Sequence, residues 1–119
     1  MAEKVKDNIF WLGVNNPKSR DFHGISTPRG GSYNSFLVMD EKPTIIDCTN
    51  KDFFEEYIKS LKDVIDPEKI QYIIINHAEP DHSGAIKEML DECKKAKIVC
   101  TQKCKQFLEE AFEIKANFI

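Results

Sequence analysis

The chain has 119 residues, 17 basic and 20 acidic, for a formal net charge of −3. That length supports one hydrophobic core and not two, and the mild negative charge offers no basic field for nucleic acid or an anionic membrane surface. No apolar run reaches the roughly eighteen residues of a spanning helix, and Met1-Ala2-Glu3-Lys4-Val5-Lys6-Asp7 lacks the apolar centre of a signal peptide, so a cytoplasmic location is expected, with Cys48, Cys93, Cys100 and Cys104 as reduced thiols.

In chain order, Ile9-Phe10-Trp11-Leu12-Gly13-Val14 is nearly continuous in apolar character and predicts a strand buried on both faces, ended by Asn15-Asn16-Pro17. A polar segment from Lys18 to Gly31 follows, with Phe22-His23-Gly24 in its middle. Loops of this length are usually functional or disordered. Ser32 to Met39 and Pro43 to Asp47 read as two strands joined at Asp40-Glu41-Lys42, and so as an antiparallel pair. Phe53, Phe54, Tyr57, Ile58, Leu61, Val64 and Ile65 recur at helical spacing up to Pro67. Such an aromatic stripe covers a sheet and is not a cofactor box.

Ile70 to Ile75 is the most β-branched run and predicts a central strand. After Ser83 a helix turns Ile86, Met89, Leu90 and Cys93 inward, Lys97 to Thr101 forms a short strand, and Phe107, Leu108, Ala111 and Phe112 mark a third helix. Ala116-Asn117-Phe118-Ile119 reads as the opening of one more strand. Cys100 and Cys104 stand four apart but lack a second pair of zinc ligands, and all four cysteines read as packing residues or free thiols. The order β-β-β-α-β-α-β-α predicts an α/β fold with a mixed sheet whose antiparallel strands come first.

At the end of the β-branched strand stands Asn76-His77-Ala78-Glu79-Pro80-Asp81-His82-Ser83-Gly84. Alternate side chains of an extended segment share one face, so His77, Glu79 and Asp81 point into one pocket while Ala78 and Pro80 face away. Pro80 supports this by keeping Glu79 out of the helical region. His82 reaches the same centre only if the chain turns, and Ser83-Gly84 supplies the turn, with the serine hydroxyl as a cap for the amides that follow. A plain strand-to-helix loop would explain Asp81 near a helix N-terminus. It would not explain two imidazoles crowded with two carboxylates, which repel unless a cation lies among them.

The arrangement resembles the metallo-β-lactamase superfamily, whose usual signature is His-x-His-x-Asp-His at the end of a buried strand. With Glu79 in place of the second histidine it resembles the flavodiiron proteins, which carry His-x-Glu-x-Asp-His and reduce dioxygen or nitric oxide at a non-haem diiron centre. Ser32-Tyr33-Asn34-Ser35-Phe36 is similar to that family as well. The resemblance implies a single, partial domain over residues 1–119, the N-terminal half of an αββα sandwich, with its metal loop at 76–84. It implies iron held by His77 and Glu79 on one ion and by Asp81 and His82 on the other, no catalytic residue beyond these ligands, and His23 as an outer donor. The family's remaining ligands lie further downstream, and FMN belongs to a flavodoxin-like domain that this sequence does not include. Partners implied are a complementing C-terminal half or a second copy, and a flavodoxin-like or rubredoxin electron donor. Two other readings stay open. One is a zinc or iron hydrolase working through metal-bound hydroxide, against which the carboxylate of Glu79 argues by lowering the net positive charge of the centre. The other is a non-catalytic oxygen-sensing or dimerisation module that uses a bare sheet face.

Overall fold

The computed structural model describes residues 2–16, 21–22, 25–26, 31–79, 83–112 and 118. Its strands are β1 (Glu3–Lys6), β2 (Ile9–Trp11), β3 (Val14–Asn16), β4 (Asp21–Phe22), β5 (Ile25–Ser26), β6 (Gly31–Tyr33), β7 (Phe36–Val38), β8 (Thr44–Ile46), β9 (Tyr72–Ile74) and β10 (Lys97–Val99). The helices are α1 (Phe54–Lys62), α2 (Ile86–Glu92) and α3 (Gln102–Phe112). Six strands form one mixed sheet in the order β1-β2-β7-β8-β9-β10. Antiparallel pairing runs from β1 to β8, with the expected hairpin between β7 and β8, and the steps from β8 to β9 and from β9 to β10 are parallel, as helical crossovers require.

One face of this sheet is packed. Leu37, Ile45, Ile73 and Ile98 are register neighbours across four strands, and each is fully buried. They meet Tyr57, Leu61, Ile86, Met89 and Leu108 of the three helices in a single core cluster. Burying each such side chain contributes roughly 1.5–3 kcal/mol. On the opposite face the alternating neighbours Phe36, Ile46, Ile74 and Val99 are only half-buried. Glu88 and Glu92 of α2 are half-buried and reach Lys51 (4.0 Å) and Lys62 (3.6 Å) of the preceding helical segment.

The structure adds to the sequence reading in three places. β1 was invisible to hydrophobic patterning because Glu3-Lys4-Val5-Lys6 is mostly charged and wholly exposed, the composition that protects a sheet edge from further pairing. The run Ile9 to Val14 is two strands. At Leu12-Gly13 the chain leaves the main sheet, and at Asn34-Ser35 the partner chain does the same, so β3 and β6 pair separately while Leu12 N–H still donates to the Ser35 carbonyl (2.8 Å). Within the polar segment, Phe22 pairs with Ile25 in a two-residue ladder too short to show periodicity. His23 lies outside the described residues. So do Ala116, Asn117 and Ile119, while Phe118 forms an isolated parallel bridge to Ile98.

Gly13 is what makes the step between sheets possible. The Trp11 indole lies across it, tied through Nε1 to Asn34 Oδ1 (3.0 Å), and a Cβ on Gly13 would stand 2.2 Å from the ring. Gly13→Ala is therefore expected to destabilise the fold by about 1–3 kcal/mol in a urea titration, and to shift the emission of Trp11, the single tryptophan.

The buried thiols give a second expectation. Burial pushes Cys48 and Cys93 up from 9.0 to about 12 and holds Tyr57 well above 10.0. Above 9.0 the unfolded chain releases these protons while the folded chain keeps them, so the unfolded state binds fewer protons and stability falls as pH rises. Each thiol removes up to about 1.4 kcal/mol per pH unit in that window. The urea midpoint should fall between about pH 8.5 and 10.5, and fall less steeply in Cys48→Ala.

Candidate metal centre

Parallel pairing of β8 with β9, Ile46 opposite Ile74, brings the carboxyl ends of both strands to one edge of the sheet. Asp47 follows the first and Asn76 the second. Asp47 has φ 59, the one non-glycine residue with positive φ among those described, and is 7% exposed. Aspartate tolerates the left-handed region better than most residues, but the conformation still costs about 1–2 kcal/mol. Hydrogen bonds on every side hold it. Its N–H donates to the Ile74 carbonyl (2.7 Å), its Oδ1 accepts from Asn76 N–H (2.8 Å), and its Oδ2 accepts from Asn76 Nδ2 (3.3 Å). Its carbonyl accepts from Ser35 Oγ (2.9 Å), which also meets the Tyr57 hydroxyl (2.8 Å).

Beyond Asn76 the structure describes two of the four expected site residues, His77 and Glu79, and brings them together. His77 Nε2 and Glu79 Oε1 approach to 3.1 Å, with side-chain exposures of 55% and 38%. An ion pair so exposed adds little to stability, so the fold has no evident need of it. The separation does match adjacent ligands of one cation: two bonds of about 2.1 Å at a right angle put their donor atoms about 3 Å apart. The donor set therefore fits a metal. Among the described residues no group of three or more His, Cys, Asp or Glu gathers as a metal site; Pro80, Asp81 and His82, the rest of the expected segment, lie outside those residues.

Ser83 closes the segment in a way the sequence did not foretell. Instead of capping the amides ahead of it, its buried hydroxyl turns back to the carbonyls of Ala78 (2.7 Å) and Glu79 (3.1 Å), and its N–H donates to the Glu79 carbonyl (2.9 Å). A serine hydroxyl can bond back to preceding carbonyls as readily as it caps the amides ahead. Ala85 N–H then donates to the Thr49 carbonyl (3.0 Å), joining this end of the segment to the Asp47 turn.

Among the described residues, no cysteine belongs to a group that could hold a metal ion. Cys48 adjoins the turn but is fully buried and directed at the Thr49 carbonyl (3.8 Å), and burial raises its thiol out of the nucleophilic range. Burial likewise raises Cys100, and raises Cys104 to about 11. Sequence reasoning singled out His77 and Glu79 and did not foresee the hydrogen bonds around them that involve Ser35, Asp47, Tyr57 and Asn76. The one available signal was Asp47 itself, a left-hand-tolerant acid closing a buried strand.

A mixed sheet covered by helices on one face, with histidine and glutamate converging at its carboxyl edge, defines a metallo-β-lactamase-like α/β domain. Residues 32–119 match the family model described as ODP family beta lactamase, and the chain belongs to that family. It is 40% identical over 121 residues to the flavo-diiron protein FprA2 of Clostridium acetobutylicum, covering 97% of this chain and 30% of that protein. With the anaerobic nitric oxide reductase flavorubredoxin of Salmonella arizonae it shares 46% over 103 residues, 85% of this chain and 22% of the relative. Among solved structures, the flavodiiron protein from Giardia intestinalis superposes with a TM-score of 0.93 at 33% identity, over all of this chain and 29% of the other. The rubredoxin oxygen:oxidoreductase from Desulfovibrio gigas gives 0.93 at 35%, over 100% and 30%. The likeness is thus to flavodiiron proteins, as the His77-x-Glu79 pattern implied, and the chain spans less than a third of each of these proteins. Among the described residues, no helix is long and apolar enough to cross a membrane.

The Asp47 turn makes a graded expectation. Asp47→Asn keeps left-handed tolerance and one acceptor; Asp47→Gly keeps the backbone and loses both acceptors; Asp47→Ala loses the acceptors and adds strain. Urea titrations should rank the losses Asn, then Gly, then Ala, the last about 2–4 kcal/mol. Alanine milder than glycine would contradict the strained turn.

Proposed function

We propose that this chain is the metal-loop part of a flavodiiron-type oxidoreductase, a single, partial metallo-β-lactamase-like domain over residues 1–119 whose segment 76–84 holds iron for the reduction or binding of dioxygen or nitric oxide. The observation that carries the reading is the 3.1 Å approach of His77 Nε2 to Glu79 Oε1 on a segment braced at both ends. His77 and Glu79 would hold one ion, and Asp81 and His82 the second, with further ligands from outside the chain. A mixed set of imidazole and carboxylate suits iron or manganese better than a set of imidazoles alone. When bound, iron supplies the redox centre at which the diatomic accepts electrons.

The protein's part is positional. Short hydrogen bonds at Asn76 and Ser83 hold the two donor atoms where they converge, so little reorganisation accompanies metal entry. Electrons would come from outside, from an FMN-bearing flavodoxin-like domain or a rubredoxin. The half-buried apolar face that carries Phe36, Ile46, Ile74 and Val99 supports a second layer packed against the sheet, either a complementing C-terminal half or another copy of the chain. A cytoplasmic setting accords with Cys93, Cys100 and Cys104 as free thiols. The hydrolase reading is weaker because the carboxylate beside His77 reduces the charge available to acidify a bound water.

Anaerobic reconstitution with ferrous iron, followed by metal quantification, tests the reading. The wild type should retain iron, while His77→Ala, Glu79→Ala and Asp81→Ala should each weaken retention by at least about tenfold. Equal iron in all four proteins would remove the site, and tight stoichiometric zinc with esterase activity would favour the hydrolase.

A further inference from the structure

We infer that the Tyr57 and Ser35 hydroxyls form an ordered relay that positions the metal-bearing segment through the Asp47 turn. Both side chains are fully buried, Tyr57 on α1 and Ser35 where the chain steps from one sheet to the other. Ser35 has a single hydroxyl proton, and its contact with the Asp47 carbonyl (2.9 Å) can only use that proton, because a carbonyl accepts and does not donate. The 2.8 Å contact between Ser35 Oγ and the Tyr57 hydroxyl must then run the other way, with tyrosine donating. Burial keeps Tyr57 protonated for that role. Both protons therefore point toward Asp47, an arrangement in which each bond strengthens the next.

The end of the relay fixes a backbone that would otherwise relax. The N–H of Asp47 is held by the Ile74 carbonyl and its C=O by Ser35, so the peptide planes on both sides of its left-handed Cα are pinned. With the backbone set, the carboxylate stays aimed at Asn76 N–H (2.8 Å) and Nδ2 (3.3 Å), and Asn76 directly precedes His77. A core needing only bulk at these positions would be served by alanine and phenylalanine, which carry no desolvation cost. Ser35 and Tyr57 are positioning residues: they act on the segment through Asp47. The relay itself rests on hydrogen bonds alone, and its bearing on metal rests on the function proposed above.

Amide hydrogen exchange on the metal-free full chain, labelled with nitrogen-15, separates positioning from general stabilisation. Two neighbouring amides serve as probe and control: Asn76 N–H, bonded to Asp47, and Ile75 N–H, bonded to the Val99 carbonyl (3.0 Å). Ser35→Ala should speed exchange at Asn76 by about tenfold or more and at Ile75 by less than about twofold. Tyr57→Phe, which leaves Ser35 its own bond to Asp47, should give a smaller effect of the same kind and can be read even if Ser35→Ala does not fold. Unchanged exchange at Asn76, or exchange rising equally at both amides, would overturn the relay. A ferrous titration of the same proteins forms the second arm: Ser35→Ala should bind about tenfold more weakly. Faster Asn76 exchange with undiminished iron affinity would overturn the link to metal. A wild type that binds no iron would sink the proposed function and leave the exchange result to judge the relay.

Discussion

The contact on which the rest depends is the clamp of the Asp47 carboxylate on the backbone and side chain of Asn76. Parallel strands deliver their ends to the same edge of a sheet but do not say how the following loops should leave it. Here one loop is held in a left-handed turn at residue 47 and spends its side chain on orienting the other. A strained residue persists only where its surroundings over-determine it, and such residues concentrate at functional sites. Asp47 meets both conditions, with hydrogen bonds on its N–H, its C=O and its carboxylate, beside the only described pair of side chains that the sequence marks as ligands.

The sheet supplies rigidity on one side and an opening on the other. Leu37, Ile45, Ile73 and Ile98 lock the strands to the helices, and Asp47 and Asn76 lie just past the ends of two of those strands. The side chains of His77 and Glu79, 55% and 38% exposed, stand just beyond those ends, where the buried Ser83 hydroxyl holds the Glu79 carbonyl. Membership of the ODP beta-lactamase family accords with high structural similarity to flavodiiron proteins, of which the chain spans less than a third.

What could be read from the sequence was local in character. Proline after Glu79 and the alternation of His77 with Glu79 concern neighbours within a few positions, and so do the turn at residues 40–42 and the helical stripe from Phe53 to Ile65. The supports were not legible because each joins distant positions: Ser35 to Asp47 across 12 residues, Ser35 to Tyr57 across 22, and Asp47 to Asn76 across 29. β1 escaped notice for want of apolar residues, and the break at Gly13 because an apolar run looks the same whether it continues in one sheet or crosses into another. The direction of the Ser83 hydroxyl, back to the Ala78 and Glu79 carbonyls, is specified by no residue preference.

The central claim is that a clamped bend presents imidazole and carboxylate as adjacent ligands of one ion. Anomalous diffraction at the iron edge, from crystals of the reconstituted protein, measures this directly. The account expects an iron peak about 2.1 Å from both His77 Nε2 and Glu79 Oε1, with the Asp47–Asn76 bonds retained. Iron bound elsewhere, or held by only one of the two while the other turns into solvent, would contradict it.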